Sequence, residues 1–287
     1  ISVSIWSASR FGAPLQQREC PVTSAPQSSA SVSPANAIFL DPRRAPLKFR
    51  PFKALGHFRK LIADKEDTEQ VFHIFEALPR KSFVDDARAF IESPQGQRLM
   101  REEVFLAPIL DDHETLKKLP AGTVGRAYVD FMESEGLSAA GLVAESEKMR
   151  RGRPVYHDQI QWYGNRLRDT HDMLHVLTGY GRDALGEQCV LAFTWGQNRN
   201  LGNIFIAYAG GLELKRRVKA DAPIFAALKE GRLCGGAAKK LHHESILDLL
   251  REPLSAARQR LAIGEPTQYR ACHQAYTSRG IDPYNFL

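Results

Sequence analysis

Cysteine is scarce: the 287 residues hold Cys20, Cys189, Cys234 and Cys272, none at CxxC spacing. A thiolate zinc site and a disulfide framework are therefore not expected, and a reducing compartment is the simpler reading. Long apolar runs are also missing. The best, Ile204 to Leu212, falls far short of the roughly 18 residues that a membrane-crossing helix needs. At most, the chain is expected to lie on a membrane. Apolar runs of period two between turn signals are rare, which argues against strands. No nucleotide fingerprint is present, because "GYGRDALG" follows no strand-like run and is not GxGxxG. The pI of about 9.2 and formal charge of +6 suit anionic lipid or phosphate. No recognition motif or aromatic-plus-basic platform accompanies them, so nucleic acid is not an expected partner.

What is present is ordinary globular material, 43% hydrophobic and 25% charged, enough for a sizeable core. Residues 1–39 stand apart. "TSAPQSSASVSPANA" is rich in Ser, Ala and Pro, and up to Leu40 the only acid is Glu19 beside Arg10 and Arg18. This reads as a disordered or targeting leader. Residues 40–287 read as a single helical domain, so the fold class is all-α. Between Asp41 and Asp64 there is no acid, but Arg43, Arg44, Lys48, Arg50, Lys53, Arg59 and Lys60 occur, with Leu55, Phe58, Leu61 and Ile62 at helical spacing. Such a helix either rests on anionic headgroups or packs on the core with a solvated basic face. Helices are predicted over 68–78, 82–92, 94–103, 125–135, 222–229 and 239–261, the fourth stopped by Gly136. The small residues of "NIFIAYAGGLEL" suit either tight helix packing or an apolar groove for a lipid.

The chemistry concentrates in "THDMLHVLTGYGRDALGE", Thr170 to Glu187. One helix is predicted from Gln159 to Gly179, its apolar stripe formed by Ile160, Tyr163, Leu167, Leu174 and Leu177. At roughly 100° per residue, His171, Asp172 and His175 occupy one sector at the edge of that stripe. A glycine turn follows, then a helix from Asp183 on which Glu187 shares the apolar face of Ala184, Val190 and Leu191. A lone carboxylate there is costly unless protonated, paired or metal-bound. Two histidines at i and i+4 plus a carboxylate from a second helix form a metal arrangement. Zinc, iron and manganese all suit these ligands, and ligand type does not choose among them. The alternative is core-edge histidines satisfied by Asp172 and Glu187 without metal.

"HDMLH", eleven residues, then "E" resembles the HDxxHx11E motif of the fourth coenzyme Q biosynthesis protein family. "LDPRRAPL" and "LPAGTVGRAYVDFM" resemble the family's opening and mid-chain segments. The likeness runs from about Leu40 to the C-terminus. It implies an all-helical fold that tends to dimerise, with His171, Asp172, His175 and Glu187 as metal ligands, usually for Zn2+, with Fe2+ or Mn2+ as alternatives. It implies ubiquinone biosynthesis: oxidative decarboxylation of a polyprenylated 4-hydroxybenzoate-derived precursor at ring carbon C1. It further implies peripheral attachment to the inner membrane, on the bacterial cytoplasmic or mitochondrial matrix face, and association with other enzymes of the pathway. Replacing carboxylate by hydroxyl needs an electron sink and an oxygen source, so dioxygen or a partner enzyme is expected beside the metal. A non-catalytic, lipid-binding scaffold is the alternative.

Around this centre, Arg168 sits three residues before His171 and is expected to bind the substrate carboxylate or to hold Glu187 or Asp172; a surface ion pair is the plainer reading. Arg126 and Tyr128, in "GRAYVDF", either line the head-group pocket or pack helices. His242, His243 and Glu244 in "LHHESILDLL" read as an exposed helix face, since adjacent helical residues diverge by roughly 100°. "YHD", Tyr156 to Asp158, invites an HD-type phosphohydrolase reading that leaves Glu187 idle. His57, His73, His113 and His273 read as structural or surface residues.

Overall fold

Polar caps and glycine stops cut this chain into short helices. The computed structural model describes residues 33–46, 48–64, 67 and 69–285. Most of the expected leader lies outside these residues. Within them, the chain is already tied down by Ile38 and Phe39, whose carbonyls accept from the Gln159 and Ile160 amides.

The helices are α1 (Pro51–Ala63), α2 (Glu69–Ala77), α3 (Phe83–Ile91), α4 (Pro94–Glu102), α5 (Ala107–Leu110), α6 (His113–Leu116), α7 (Val124–Glu135) and α8 (Ala139–Arg150). They continue with α9 (Gln159–Asp169), α10 (His171–Thr178), α11 (Ala184–Asn198), α12 (Leu201–Arg217), α13 (Ile224–Ala237), α14 (Ile246–Leu249), α15 (Leu254–Leu261) and α16 (Thr267–Thr277). Among the described residues there is no strand, only an isolated bridge between Thr123 and Pro253. The all-α expectation is met. No helix among them is long and apolar enough to cross a membrane.

Local chemistry explains the boundaries. Ser93, Thr123, Ser138, Asp158 and Asn200 each accept a backbone N–H of the helix they precede, satisfying donors that the first turn leaves without partners. Gly136 and Gly179 end α7 and α10 in the left-handed conformation, which glycine adopts without steric cost.

Helix α11 is the hub, buried over most of its length and packed by α10, α12, α13 and α16. Its crossing with α13 is glycine to backbone. A Cβ on Gly235 would come within 2.0 Å of the Phe193 carbonyl oxygen. Gly210 and Gly211 of α12 likewise press against the side chains of Gln188 and Leu228. The "NIFIAYAGGLEL" run is therefore tight packing, not a groove.

Three expectations are corrected. The helix expected from Gln159 to Gly179 is two helices, broken at Thr170. Its hydroxyl and its backbone N–H both donate to the Arg166 carbonyl four residues back, a local bond of the kind that bends helices. "LHHESILDLL" is not an exposed helix. Leu241–His243 is a 3-10 turn, His242 is buried, and His243 stacks on Phe90 with ring centroids 3.9 Å apart. The helix predicted over 239–261 is divided by Ser245, which caps α14, and by Pro253 before α15.

Candidate metal centre

The break at Thr170 makes His171 the first residue of α10, with Asp172 in its first turn, where the exposed amides favour a carboxylate. All eight residues of α10 are buried, so the histidines lie inside the molecule and not at the margin of an amphipathic stripe. The ligand atoms of His171, Asp172 and His175 lie within 4.8 Å of one another. Glu187, outside that group of three, approaches the two histidines from the first turn of α11. Its Oε2 is 3.7 Å from His171 Nε2 and 3.6 Å from His175 Nε2. A tetrahedral ion with bonds near 2.1 Å holds its ligand atoms about 3.4 Å apart. The observed spacings are close to that and too long for hydrogen bonds.

The outer contacts fit as well. His175 Nδ1 lies 3.0 Å from the Tyr180 carbonyl. A carbonyl only accepts, so Nδ1 carries a proton, which leaves Nε2 as the ring nitrogen that faces Glu187. His175 Nε2 and both Glu187 carboxylate oxygens are buried with no hydrogen-bond partner. Buried polar atoms are rarely left so, and a cation held by His171, His175, Glu187 and Asp172 would satisfy them. Burial works against charge on both sides of this pair. The imidazoles of His175 and His171 nevertheless hold the Glu187 carboxyl well below the usual range, and the Glu187 charge raises His175.

Behind Glu187 stands Arg182, whose Nε is 3.6 Å from Glu187 Oε1 and whose Nη1 is 3.7 Å from Glu135 Oε2. The turn between α10 and α11 is braced by Asp183. Its carboxylate accepts the Leu185 and Gly186 amides and the Tyr269 hydroxyl. Tyr269 in turn accepts from the Gly181 amide at 2.9 Å, and His273 Nε2 lies 3.3 Å from Asp183. Sequence spacing does not reveal Arg182, Tyr269 or His273 as neighbours of the site. Arg182 adjoins a helix cap, and the other two arrive from α16.

The three flanking residues part company. Tyr128 is fully buried, its hydroxyl without a hydrogen-bond partner. Burial, then the charges of Asp172, Asp111 and Asp169, push its phenol far above its ordinary range, so it stays protonated. Arg168 turns away to bond Asp169 Oδ1 at 2.7 Å and Ser146 at 2.9 Å. Arg126 donates to the Lys117 carbonyl at 2.8 Å and lies 3.6 Å from Asp130, a helix-packing role.

Arg168 and Asp169 line a cavity of about 440 Å3, with Phe105, Val143, Trp162 and Arg150 among its other walls. That size suits a small-molecule site. Burial raises the Asp169 carboxyl despite the pull of Arg168 and Arg166. Asp169 ends α9, two residues before His171, so this wall of the cavity adjoins the metal-ligand cluster.

Comparisons place this architecture. The chain is 27% identical over 147 residues, 51% of its length, to a mitochondrial ubiquinone biosynthesis protein COQ4 of Yarrowia lipolytica, spanning 53% of that protein. It is 26% identical over 181 residues to the mitochondrial COQ4 homolog of Rattus norvegicus, 62% of this chain and 64% of that one. The chain thus spans about a third to two thirds of the length of the curated relatives it matches. A crystal structure of a protein from Nostoc punctiforme shares the fold at a TM-score of 0.55 and 22% identity, covering 76% of this chain and all of that one. The family model "Coenzyme Q (ubiquinone) biosynthesis protein Coq4" matches residues 62–266, a span that takes in α10, α11 and all four candidate ligands. A match over that much of the chain makes it a member of the Coq4 family.

Proposed function

We propose that this protein acts in ubiquinone biosynthesis as a metal-dependent enzyme, removing the C1 carboxylate of a polyprenylated 4-hydroxybenzoate-derived precursor and placing hydroxyl there. The single observation that carries this reading is the buried set of His175 Nε2 and the two Glu187 oxygens without hydrogen-bond partners, faced by His171 and Asp172 next to a cavity. His171, His175, Glu187 and Asp172 would hold the ion, zinc by the family resemblance, with iron and manganese as alternatives. A bound ion would supply Lewis-acid stabilisation of carboxylate or phenolate oxygen. The chain's own residues do the rest. Arg150 and Arg168 give the cavity positive charge for a carboxylated head, while Phe105, Val143 and Trp162 offer apolar walls to the aromatic body. Asp169, held by Arg168, forms the part of the cavity wall that lies two residues before His171. Exchange of CO2 for hydroxyl is a two-electron oxidation, so dioxygen or a partner enzyme of the pathway completes it. A homodimer, seated on the surface of the inner membrane beside other pathway enzymes, completes the proposal.

One observation favours a second reading. The cavity lining stops at Asp169 and includes none of the four ligands, as a closed structural ion bracing α10 against α11 in a lipid-binding scaffold would require. Metal analysis of the purified protein and of an Asp172→Ala, Glu187→Ala double variant, each assayed for C1 decarboxylation, separates the two. Stoichiometric metal and turnover, both lost in the variant, support the enzyme. Metal with precursor binding but no turnover in the wild type selects the scaffold, and a metal-free wild type rejects both.

A further inference from the structure

Helix α1 turns only one side to the core. Ala54 and Leu61 are buried and Phe58 packs beside them. At roughly 100° per residue the opposite side carries Phe52, Leu55, Gly56, Arg59 and Ala63, all exposed. Phe52 is 88% exposed and Phe49, just before the helix, 60%. Exposed aromatics in such a group are unusual on a surface facing only water. Their setting is cationic: Lys48, Arg50, Lys53, Arg59 and Lys60 surround them, with no acid from Pro42 to Ala63.

The same surface runs toward the cavity. Arg153, just beyond α8, bonds Glu76 of α2 at 2.9 Å, and Lys53 of α1 lies close enough to stabilise that carboxylate. Val155 next to it is 68% exposed. Tyr156 lies under the guanidinium of Arg44, 4.3 Å from its ring centroid. Arg44 and Arg168 both repel Arg150, which lines the cavity. Cationic residues thus recur from α1 to the cavity wall: Lys53, Arg153, Arg44, Arg150 and Arg168.

The geometry points to this face as a docking surface for an anionic lipid bilayer, with α1 lying in the plane of the interface. Phe49, Phe52 and Leu55 enter the boundary between headgroups and acyl chains, and Lys53, Arg59 and Lys60 meet lipid phosphates. Charge complementarity selects the lipid over a second copy of the chain, whose same face would bring like charges together. This proposal takes its purpose from the lipid substrate proposed above and its evidence from the surface alone.

The test is flotation of the full chain with vesicles of phosphatidylcholine alone and with about a third phosphatidylglycerol, a composition strongly anionic in the sense that drives interfacial binding. Wild type is expected to bind the anionic vesicles and to leave them at high salt. Phe52→Ser is expected to weaken binding by about tenfold, since it removes an aromatic from the interface, and Lys53→Glu with Arg59→Glu by more. Both variants change exposed residues and are expected to keep turnover of a short-prenyl substrate in detergent. Equal binding of wild type and Phe52→Ser, or no preference for anionic vesicles, overturns the docking surface. So does a dimer that Phe52→Ser dissociates while vesicle binding persists. Loss of detergent turnover in the wild type with vesicle binding intact defeats the proposed reaction and leaves the surface standing.

Discussion

At the residue scale the site depends on neighbours that bind nothing themselves. Arg182 stands behind Glu187 with its Nε 3.6 Å from Oε1, and the carboxylate is fully buried. Outer-shell partners of this kind typically carry 10- to 100-fold in metal affinity. Arg182→Met is therefore expected to weaken metal retention by about that factor, measured by competition with a chromogenic chelator. Unchanged retention would show that Arg182 serves only Glu135. Arg166, which also lines the cavity, anchors a buried ion pair. Its Nη1 bonds Glu103 Oε2 at 2.6 Å with both side chains buried, and its Nε donates to the His242 carbonyl. Removing one partner of a buried pair strands the other charge, so Arg166→Met is expected to cost about 3–5 kcal/mol in denaturant unfolding. A loss below about 1 kcal/mol would place the pair among interactions that are worth little.

At the scale of elements the decisive events are a break and a crossing. The break at Thr170 re-aims α10 so that His171 and His175 face α11, and the left-handed Gly179 lets the chain return with Glu187. The crossing of α11 and α13 depends on glycine. Gly235→Ala would force a Cβ to within 2.0 Å of the Phe193 carbonyl, and separating two packed helices is expected to cost about 1–3 kcal/mol. Gly56 is the counter-case, with nothing within 4 Å of the position its Cβ would take. Gly56→Ala is expected to stabilise by about 0.5–1 kcal/mol through helix propensity. Thermal unfolding of the two variants checks both signs, and a neutral Gly235→Ala would mean that α13 shifts without strain.

At the scale of the whole molecule, acid sensitivity follows from His242, which is buried, and His243, which is half-buried, both outside the metal-ligand cluster. Burial, helped by Lys240 and Arg166, holds His243 down to about 4. Burial and His243 hold His242 well below its ordinary value of 6.5. The unfolded chain takes up protons near 6.5 that the folded chain refuses. This part of the stability is thus complete above pH 6.5 and declines as pH falls toward 4. His243→Phe, which keeps the stack on Phe90, is expected to flatten that decline between pH 6.5 and 4 in midpoint-against-pH curves. A variant as acid-sensitive as the wild type would remove His243 as the cause.

Composition and periodicity by themselves determined the class of fold: helical patterning without alternating runs leaves no other way to bury this much apolar surface. They also determined that Glu187 faces inward, because Ala184, Val190 and Leu191 share its side of α11. The local pattern of His171, Asp172 and His175 was legible for the same reason, since three residues within five positions need only a helix to bring them together. Only the tertiary structure decided what depends on distant segments. Arg182 reached Glu187 through a turn whose shape Tyr269 and His273 of α16 brace. Arg168 was claimed by Asp169 and Ser146. His242 and His243 were drawn inside because Phe90 and Tyr163 offered aromatic faces. The break at Thr170 escaped the periodicity because it interrupts the helix without altering the spacing of apolar residues on either side.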